Sequence, residues 1–435
     1  MKVVLAVTTF FPDTVGGMEI YVEGLAKEIE KRGYNVKIAS PSSNSKYEKK
    51  YVHEGVKVYR YPRGENIEGK VYRGQKSTPS SESFHLWIER ENPDVFHVNG
   101  LTAGLHLPEI KAAHRNGAKV VLTSHLPNLV MTCLRGTLMR WGEELCDGIT
   151  KPTKCTECML QSKGVPKMIA KIFGMLPYTS KYKNLFTGNM NSALEMKNTI
   201  KDNIETRKKI FDVADKCVVL NESCKNILLR NGINEEKIEL NRSGLMNNQL
   251  MGIKEKEKRE TEKPVKVGFL GRITSVKGVH DLARAVSRLS KDIPIDCEFR
   301  GPASEEILSE LKNIVGSDSR VSFEPPVPSE QVPSVLSGYD VLCCPSRWFE
   351  VGPLVMFEAH AVGTPVIGSN VGGMSEVIED NVNGMTIPIG GVDELKSTLV
   401  RICKNPGIID RWGKNIPEPR TINDISEEYI RIYKN

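Results

Sequence analysis

The feature that most narrows the fold is an alternation that runs through the chain twice. Short apolar runs of strand length alternate with stretches whose apolar residues recur at helical spacing. Lys2–Thr8 is the first such run. Glu19–Arg32 follows with Ile20, Leu25, Ala26 and Ile29 at helical spacing, and Gly33 ends it. Val36–Ala39, Val95–Val98, Val120–Thr123 and Lys216–Leu220 continue the strands. Strands separated by helices predict parallel βαβ units. Lys254–Lys263 (KEKEKRETEK) has almost no apolar content and reads as a solvated linker. The pattern then restarts. Val265–Leu270 is a strand and Val279–Leu289 a helix, and Cys297–Arg300, Val321–Phe323, Val341–Cys344 and Val366–Ile367 are further strands. The expectation is an α/β chain of two domains. An N-terminal domain spans 1–248, a charged linker 249–264 and a C-terminal domain 265–415. The last segment, 416–435, holds a helix marked by Ile422, Ile425, Tyr429, Ile430 and Ile432.

Composition removes several classes. Hydrophobic residues at 39% and charged residues at 26% are ordinary globular values, so a fibre and a disordered chain are excluded. No apolar run approaches the roughly 18 residues that span a bilayer. The apolar start lacks a small-residue cleavage site and reads as a first strand, so a cytoplasmic location is expected. Ten cysteines in a chain this long do not suggest a disulfide scaffold. The net charge of +6 is local. Residues 126–210 hold 14 Lys+Arg and 7 Asp+Glu, a net of +7; the remaining 46 and 47 give −1.

Three loops carry the chemistry. Gly16-Gly17 lies between the first strand and first helix, where ligands bind in an open parallel sheet and glycine lets backbone N–H groups approach them; tight strand–helix turns also need glycine. Gly271–Gly278 occupies the same place in the second domain, with Arg272 and Lys277 projecting from it. Two cations beside a helix N-terminus suit a diphosphate, whereas the glycine spacing is not that of a Walker loop. Third, Pro345–Gly373 (PSRWFEVGPLVMFEAHAVGTPVIGSNVGG) places Gly352-Pro353 before a helix from about Leu354 to Ala361, with Pro353 as a first helical residue. Glu350 precedes that helix and Glu358 lies inside it. Their separation suits two ends of one ligand, because carboxylates accept bonds from sugar hydroxyls.

With these motifs in view, the chain resembles the family 4 glycosyltransferases over almost its whole length. The resemblance rests on Gly16-Gly17, Asn92-Pro93-Asp94-Val95-Phe96-His97, Thr123-Ser124-His125, Gly271-Arg272 with Lys277-Gly278, and Glu350 and Glu358 followed by Ala359, Gly363-Thr364-Pro365-Val366 and Gly372-Gly373. It implies two facing Rossmann-like domains of the GT-B kind with an interdomain cleft, the last helix packing back on the N-terminal domain. It implies a retaining, nucleotide-sugar-dependent transferase of hexosyl type, without a metal in the chemistry, acting in polysaccharide biosynthesis on a glycan or lipid-linked acceptor. Arg272 and Lys277 would hold the diphosphate, and Glu358 the ribose. Glu350, with the Gly352-Pro353-Leu354 turn and the backbone N–H groups around it helping, would meet a hydroxyl of the transferred sugar. His125 would face the reacting side of the donor sugar, Gly16 and Gly17 would line the closing loop, and the base would lie near the loop after Phe323. The chain departs from the family at Glu324-Pro325-Pro326, Gly301-Pro302 and Arg242-Ser243-Gly244. Rival readings are a nucleotide-sugar epimerase of the same architecture and a binding protein without catalysis.

Between His125 and Lys216 lie Cys133, Cys146, Cys155 and Cys158, the last two in Cys-Thr-Glu-Cys. Four thiolates in that span suit a structural tetrahedral zinc, with an iron–sulfur cluster as the alternative and redox-active or accidental cysteines as the plain reading. Cys343, Cys344 and the other cysteines read as small core hydrophobes. Val165–Lys183 mixes Ile169, Ile172, Phe173 and Leu176 with Lys167, Lys171, Lys181 and Lys183. It fits either a helix packed on the domain or a peripheral contact with an anionic membrane at its inner face. No nucleic acid is expected, since no aromatic stacking platform is visible.

Overall fold

A computed structural model describes residues 1–14, 16–42, 47–65, 67–79, 81–125, 128, 130–176, 189–246 and 263–435. The expected linker, apart from its last two residues, and Lys181 and Lys183 lie outside them. The chain forms two compact units, Met1–Arg242 with Asn423–Asn435, and Ser243–Ile422.

The first unit is built on an eight-stranded sheet. Its strands are β1 (Lys2–Ala6), β2 (Asn35–Ser42), β3 (Lys49–His53), β4 (Val56–Pro62), β5 (Val95–Val98), β6 (Lys119–Ser124), β9 (Lys216–Val219) and β10 (Ile238–Leu240). A small hairpin of β7 (Met139–Arg140) and β8 (Glu144–Leu145) stands apart. The order is β10-β9-β6-β5-β1-β2-β4-β3, parallel throughout except for the β3–β4 hairpin. From β1 the chain moves outward through β2, then returns to β1's other side with β5. The switch point therefore falls between β1 and β5, and the crevice at the carboxyl ends of the strands opens there. The β3–β4 pair was not expected. Its turn, Glu54-Gly55, takes positive φ at both residues, and Val56–Tyr61 mixes Lys57 and Arg60 into the apolar run, so its periodicity is weak.

The second unit is a six-stranded parallel sheet of β11 (Val265–Leu270), β12 (Ile295–Arg300), β13 (Val321–Glu324), β14 (Val341–Cys344), β15 (Val366–Ser369) and β16 (Gly384–Ile387), ordered β13-β12-β11-β14-β15-β16. Its switch point lies between β11 and β14. The core packs Val267, Phe269, Leu282, Val286, Phe299, Val341, Cys343, Ile367, Leu399 and Trp412 between sheet and helices. Each such side chain contributes about 1.5–3 kcal/mol. Cys217, Cys224, Cys297, Cys343, Cys344 and Cys403 are all buried, as small hydrophobes.

The last helix, Ile422–Lys434, belongs almost wholly to the first unit and is held there by a buried polar ladder. Tyr433 OH lies 2.7 Å from His97 Nδ1, His97 Nε2 lies 2.6 Å from Thr123 Oγ1, and Thr123 Oγ1 lies 2.8 Å from Tyr429 OH. Tyr21 OH donates to Tyr429 at 3.2 Å and Asn241 to the Ile425 carbonyl. Between β6 and β9 come the hairpin and three helices, Pro152–Ser162, Lys167–Met175 and Asn189–Val213. One small cluster within this insert packs Leu160, Ala170 and Met196, flanked by Met159, Val165, Phe173 and Ala193.

Candidate functional site

In the second unit the loops after β11 and β14, neighbours at the switch point, are stitched together. Gly271 takes φ 144°, a turn of Ser275–Lys277 follows, and the helix Val279–Ser287 begins after Gly278. Gly278 is in the left-handed region at φ 72°. A Cβ there would lie 1.8 Å from the carbonyl oxygen of Pro345, so only glycine lets the two loops touch. Arg347 N donates to Val276 O at 2.8 Å, and the Arg347 guanidinium clasps Asp281 through Nε and Nη2, at 2.6 and 2.5 Å. Across this seam Lys277 Nζ donates to Glu350 Oε1 at 2.6 Å. Ser346 Oγ (2.6 Å) and Trp348 Nε1 (2.8 Å) donate to the same oxygen. The Lys277 ammonium also sits 5.5 Å from the centre of the Trp348 ring.

The three donors converge on one oxygen of a buried carboxylate. Among the described residues Oε2 of Glu350 carries no such bond and remains the face a ligand hydroxyl can meet. The loop is braced from behind by the glycine pair. Gly373 N donates to Glu350 O at 2.8 Å, and a Cβ on Gly372 would lie 2.0 Å from that same carbonyl oxygen. Arg272 is exposed and, among the described residues, has no ion-pair partner. The two cations are thus unlike: one is anchored, the other is available.

The helix after Gly352 runs Leu354–Ala361. Pro353 is not its first residue, as the sequence suggested. With ψ 124° it stands in extended conformation as the N-cap, and Leu354 leads the helix. The first N–H groups of the helix remain without intrahelical partners, as helix geometry requires, and the dipole adds a partial positive charge there. Glu358 lies on this helix and is half-buried. Burial raises its carboxyl above the usual range, and no ion pair among the described residues offsets that.

In the first unit, Gly16 is the N-cap of the helix Gly17–Lys31, in extended conformation. Its loop carries an acid instead of cations: Glu19 is buried and accepts from Thr9 Oγ1 at 2.5 Å. His125 follows β6. Its Nε2 lies 3.0 Å from Asn99 Oδ1, and Asn99 Nδ2 donates to the His97 carbonyl. That second bond orients the amide so that Nε2 carries the proton, leaving Nδ1 as the acceptor. Burial pushes His125 down to about 3, so the ring is neutral at ordinary pH. Tyr21 meets it edge-on at 4.6 Å. A cavity of about 20 Å³ opens beside it, lined by Asn99, Gly100, Ser124, Asn128 and Val130. His97, part of the resemblance, is a core residue lowered to about 3 by burial.

Cys133, Cys146, Cys155 and Cys158 line another small cavity, with Arg135, Arg140 and Lys154. Among the described residues no group of three or more His, Cys, Asp or Glu side chains is assembled so as to hold a metal ion. Burial raises the Cys146 thiol, and that of Cys155 to about 11.

Sequence reasoning missed the roles of Ser346, Trp348, Arg347 and Asp281. The first three stand in the quoted Pro345–Gly373 stretch, directly after β14. The position of β14 beside β11 was the signal that could have assigned them.

Comparisons with known proteins agree with this architecture. The family described as Glycosyltransferase Family 4 matches residues 15–172, and Glycosyl transferases group 1 matches residues 252–418. A D-inositol 3-phosphate glycosyltransferase of Kribbella flavida is 31% identical over 164 residues, 35% of this chain and 38% of that protein. An uncharacterized glycosyltransferase of Methanocaldococcus jannaschii is 22% identical over 440 residues, 97% of this chain and 95% of its own. Sucrose-phosphate synthase from Thermosynechococcus elongatus shares the fold, with a TM-score of 0.69, 17% identity and coverage of 100% and 98%. That likeness makes the fold GT-B, two Rossmann-like α/β domains. With both family matches falling on the two glycine-loop units, the chain belongs to the family 4 glycosyltransferases.

Proposed function

We propose that the protein transfers a hexosyl group from a nucleoside-diphosphate sugar to a glycan or lipid-linked acceptor, with retention of anomeric configuration, in the building of a polysaccharide. The observation that carries this reading is the Lys277–Glu350 constellation at the second switch point. Lys277 is anchored so that its charge is fixed where the diphosphate would lie, Arg272 is free to close on it, and the start of the Leu354–Ala361 helix adds oriented N–H groups. Charge developing on the leaving diphosphate is met by groups already in place, which is the electrostatic effect that usually dominates. Because two cations and a helix dipole supply it, the chemistry needs no divalent metal. Glu350 Oε2 would accept from a sugar hydroxyl. Glu358, raised by burial and unpaired among the described residues, would accept from the ribose hydroxyls. His125 Nδ1, on a neutral ring, would accept from a hydroxyl on the reacting side of the sugar. Thermal-shift measurement with a panel of nucleotides and nucleotide sugars tests the reading. The true donor stabilises the protein by mass action, and a panel without any stabilising member overturns it. Donor incubated without acceptor separates the transferase from an epimerase, which alone would give isomerised sugar. Donor-dependent turnover rules out a purely binding role. Product anomers read by NMR test retention, and full turnover in EDTA tests metal independence.

A lipid-linked acceptor is favoured by one further observation. On the helix Lys167–Met175 the side chains of Met168, Ile172 and Met175 are 72%, 59% and 71% exposed, beside Lys167 and Lys171. An apolar face rimmed by lysines suits the interface of an anionic leaflet. Among the described residues no helix is long and apolar enough to cross a membrane, so the proposed contact is peripheral, at the inner face.

A further inference from the structure

We propose that Cys133, Cys146, Cys155 and Cys158 form a structural site for one tetrahedral zinc ion, which fixes the segment joining the His125 cavity to the insert. Four observations converge. The four cysteines come from a hairpin and a helix and surround one cavity. Cys133 and Cys146 flank the β7–β8 hairpin, closed by Cys146 N donating to Leu138 O at 2.8 Å; Cys155 and Cys158 stand one turn apart on the helix Pro152–Ser162. Backbone N–H groups already point at the sulfurs: Leu138 N to Cys133 Sγ at 3.3 Å, and Lys151 N to Cys155 Sγ at 3.4 Å. Such amide donors stabilise sulfur in its charged form.

The backbone here is strained. Of seven non-glycine residues with positive φ among those described, four are Val130, Met131, Leu138 and Trp141. Bulky and β-branched residues hold that conformation only where the surroundings over-determine it. All four are buried, and coordination by Cys133 and Cys146, which flank Leu138 and Trp141, would add a tie to the packing that holds them. The charge also fits. Four thiols binding Zn²⁺ release four protons to solvent and leave a complex of charge −2. Arg135, Arg140 and Lys154 line the same cavity, and Arg135 Nη1 lies 4.0 Å from Cys158 Sγ. The +7 excess of residues 126–210 thus gains a local counter-charge.

The cavity, about 30 Å³, has room for a single ion. Tetrahedral zinc places sulfurs about 2.3 Å from the metal and about 3.8 Å from each other. Among the described residues these thiols are not assembled as a metal-holding group, so loading requires the loop to contract around the ion. Val130 lines the His125 cavity and Thr132 the cysteine cavity, and contraction would be felt along the residues that join them.

The test uses the full chain, purified under reducing conditions. Elemental analysis is expected to give about one zinc per chain, and growth with cobalt to give sulfur-to-cobalt charge transfer with the intense visible bands of tetrahedral Co²⁺. The double variant C155S/C158S should lose the metal, and limited proteolysis should then cut between residues 130 and 165. Should that variant fail to fold, zinc released from the wild type by a thiol-modifying mercurial, in step with four titrated cysteines, gives the same answer. Metal-free protein with four freely titrating thiols, a disulfide among them, or iron with labile sulfide would each overturn the proposal.

Discussion

The two units carry a glycine loop at the same topological position, after the central strand of a parallel sheet, yet the loops have opposite electrostatics. After β1, Gly16 caps a helix beside a buried acid, Glu19. After β11, Gly271–Gly278 carries Arg272 and Lys277 and is clamped to the next loop through Glu350. The fold supplies exposed N–H groups at both places. Side-chain charge is the difference that makes the second loop the proposed diphosphate site. The lesson is that a glycine turn marks where a ligand can approach, and the charges around it mark which ligand.

The largest effect expected from breaking this contrast is at Lys277. Lys277→Ala should lower transfer about 100- to 1,000-fold, the cost of removing one fixed stabilising charge. Glu350→Gln should act alike, since it loosens the lysine and weakens the acceptor for the sugar hydroxyl. Steady-state turnover beside circular dichroism checks both; near-normal turnover in either variant would remove the site assignment. A Gly16→Ala change, by contrast, places its Cβ 2.8 Å from the flexible end of Glu19, and should leave donor binding in the second unit unchanged.

The second contrast is in pH response. His97 and His125 in the first unit are held near 3, and His106 near 4. A histidine lowered in the fold is protonated first in the unfolded chain, so stability is lost as pH falls below about 6.5. Glu109 has the opposite sign. Burial raises it to about 7, so protonation favours the fold as pH falls, and it offsets His106, whose helix it caps. His97 and His125 remain, each costing on the order of 2 kcal/mol between pH 7 and 5, and His85, also lowered by burial, acts in the same direction. In the second unit one buried histidine, His360, lowered to about 4, is opposed by the raised Glu358. Hydrogen exchange at pH 7 and 5 should therefore show the first unit loosening more. Equal loosening would sink that account.

Much of this was legible in the sequence. Val95–Val98, Val265–Leu270 and Val341–Cys344 are strands over the lengths their apolar runs suggested, because a strand covered on both faces is continuously apolar. The β3–β4 hairpin was not legible, since an edge pair alternates weakly and its turn lacks the usual Asn-Gly signal. At the site, Arg272, Lys277, Glu350 and Glu358 were visible as charges beside glycines. What sequence could not give was their pairing. That Lys277 is spent on Glu350 depends on β14 lying beside β11, a contact across 73 positions. The same holds for Ser346 and Trp348, ordinary residues until three donors meet on one oxygen.

A third, smaller effect separates binding from packing at Glu358. Its carboxyl is raised by burial, so its charge costs the empty fold as pH rises through that raised value. Glu358→Gln should therefore leave the empty protein as stable at pH 7 or slightly more so, by up to about 1 kcal/mol. The same change should weaken nucleotide binding about tenfold, the worth of a charge-assisted bond to a hydroxyl pair. A purely structural glutamate would move both measurements in the same direction.

The smallest effect expected belongs to the insert, whose lysines are proposed to meet lipid. Lys167 is held by Glu143 at 2.7 Å and lies over Trp141, while Lys171 is exposed without an ion pair among the described residues. Each basic residue near an anionic surface contributes about 1 kcal/mol. Changing Lys167, Lys171, Lys181 and Lys183 to Glu together should therefore reduce sedimentation with phosphatidylserine-containing vesicles, and the difference should shrink at high salt. Donor hydrolysis, which under the proposal would use Arg272 and Lys277 of the second unit, should stay as it was. Equal sedimentation of wild type and variant would leave the exposed Met168, Ile172 and Met175 without a lipid partner, and the glycan reading of the acceptor would then stand alone.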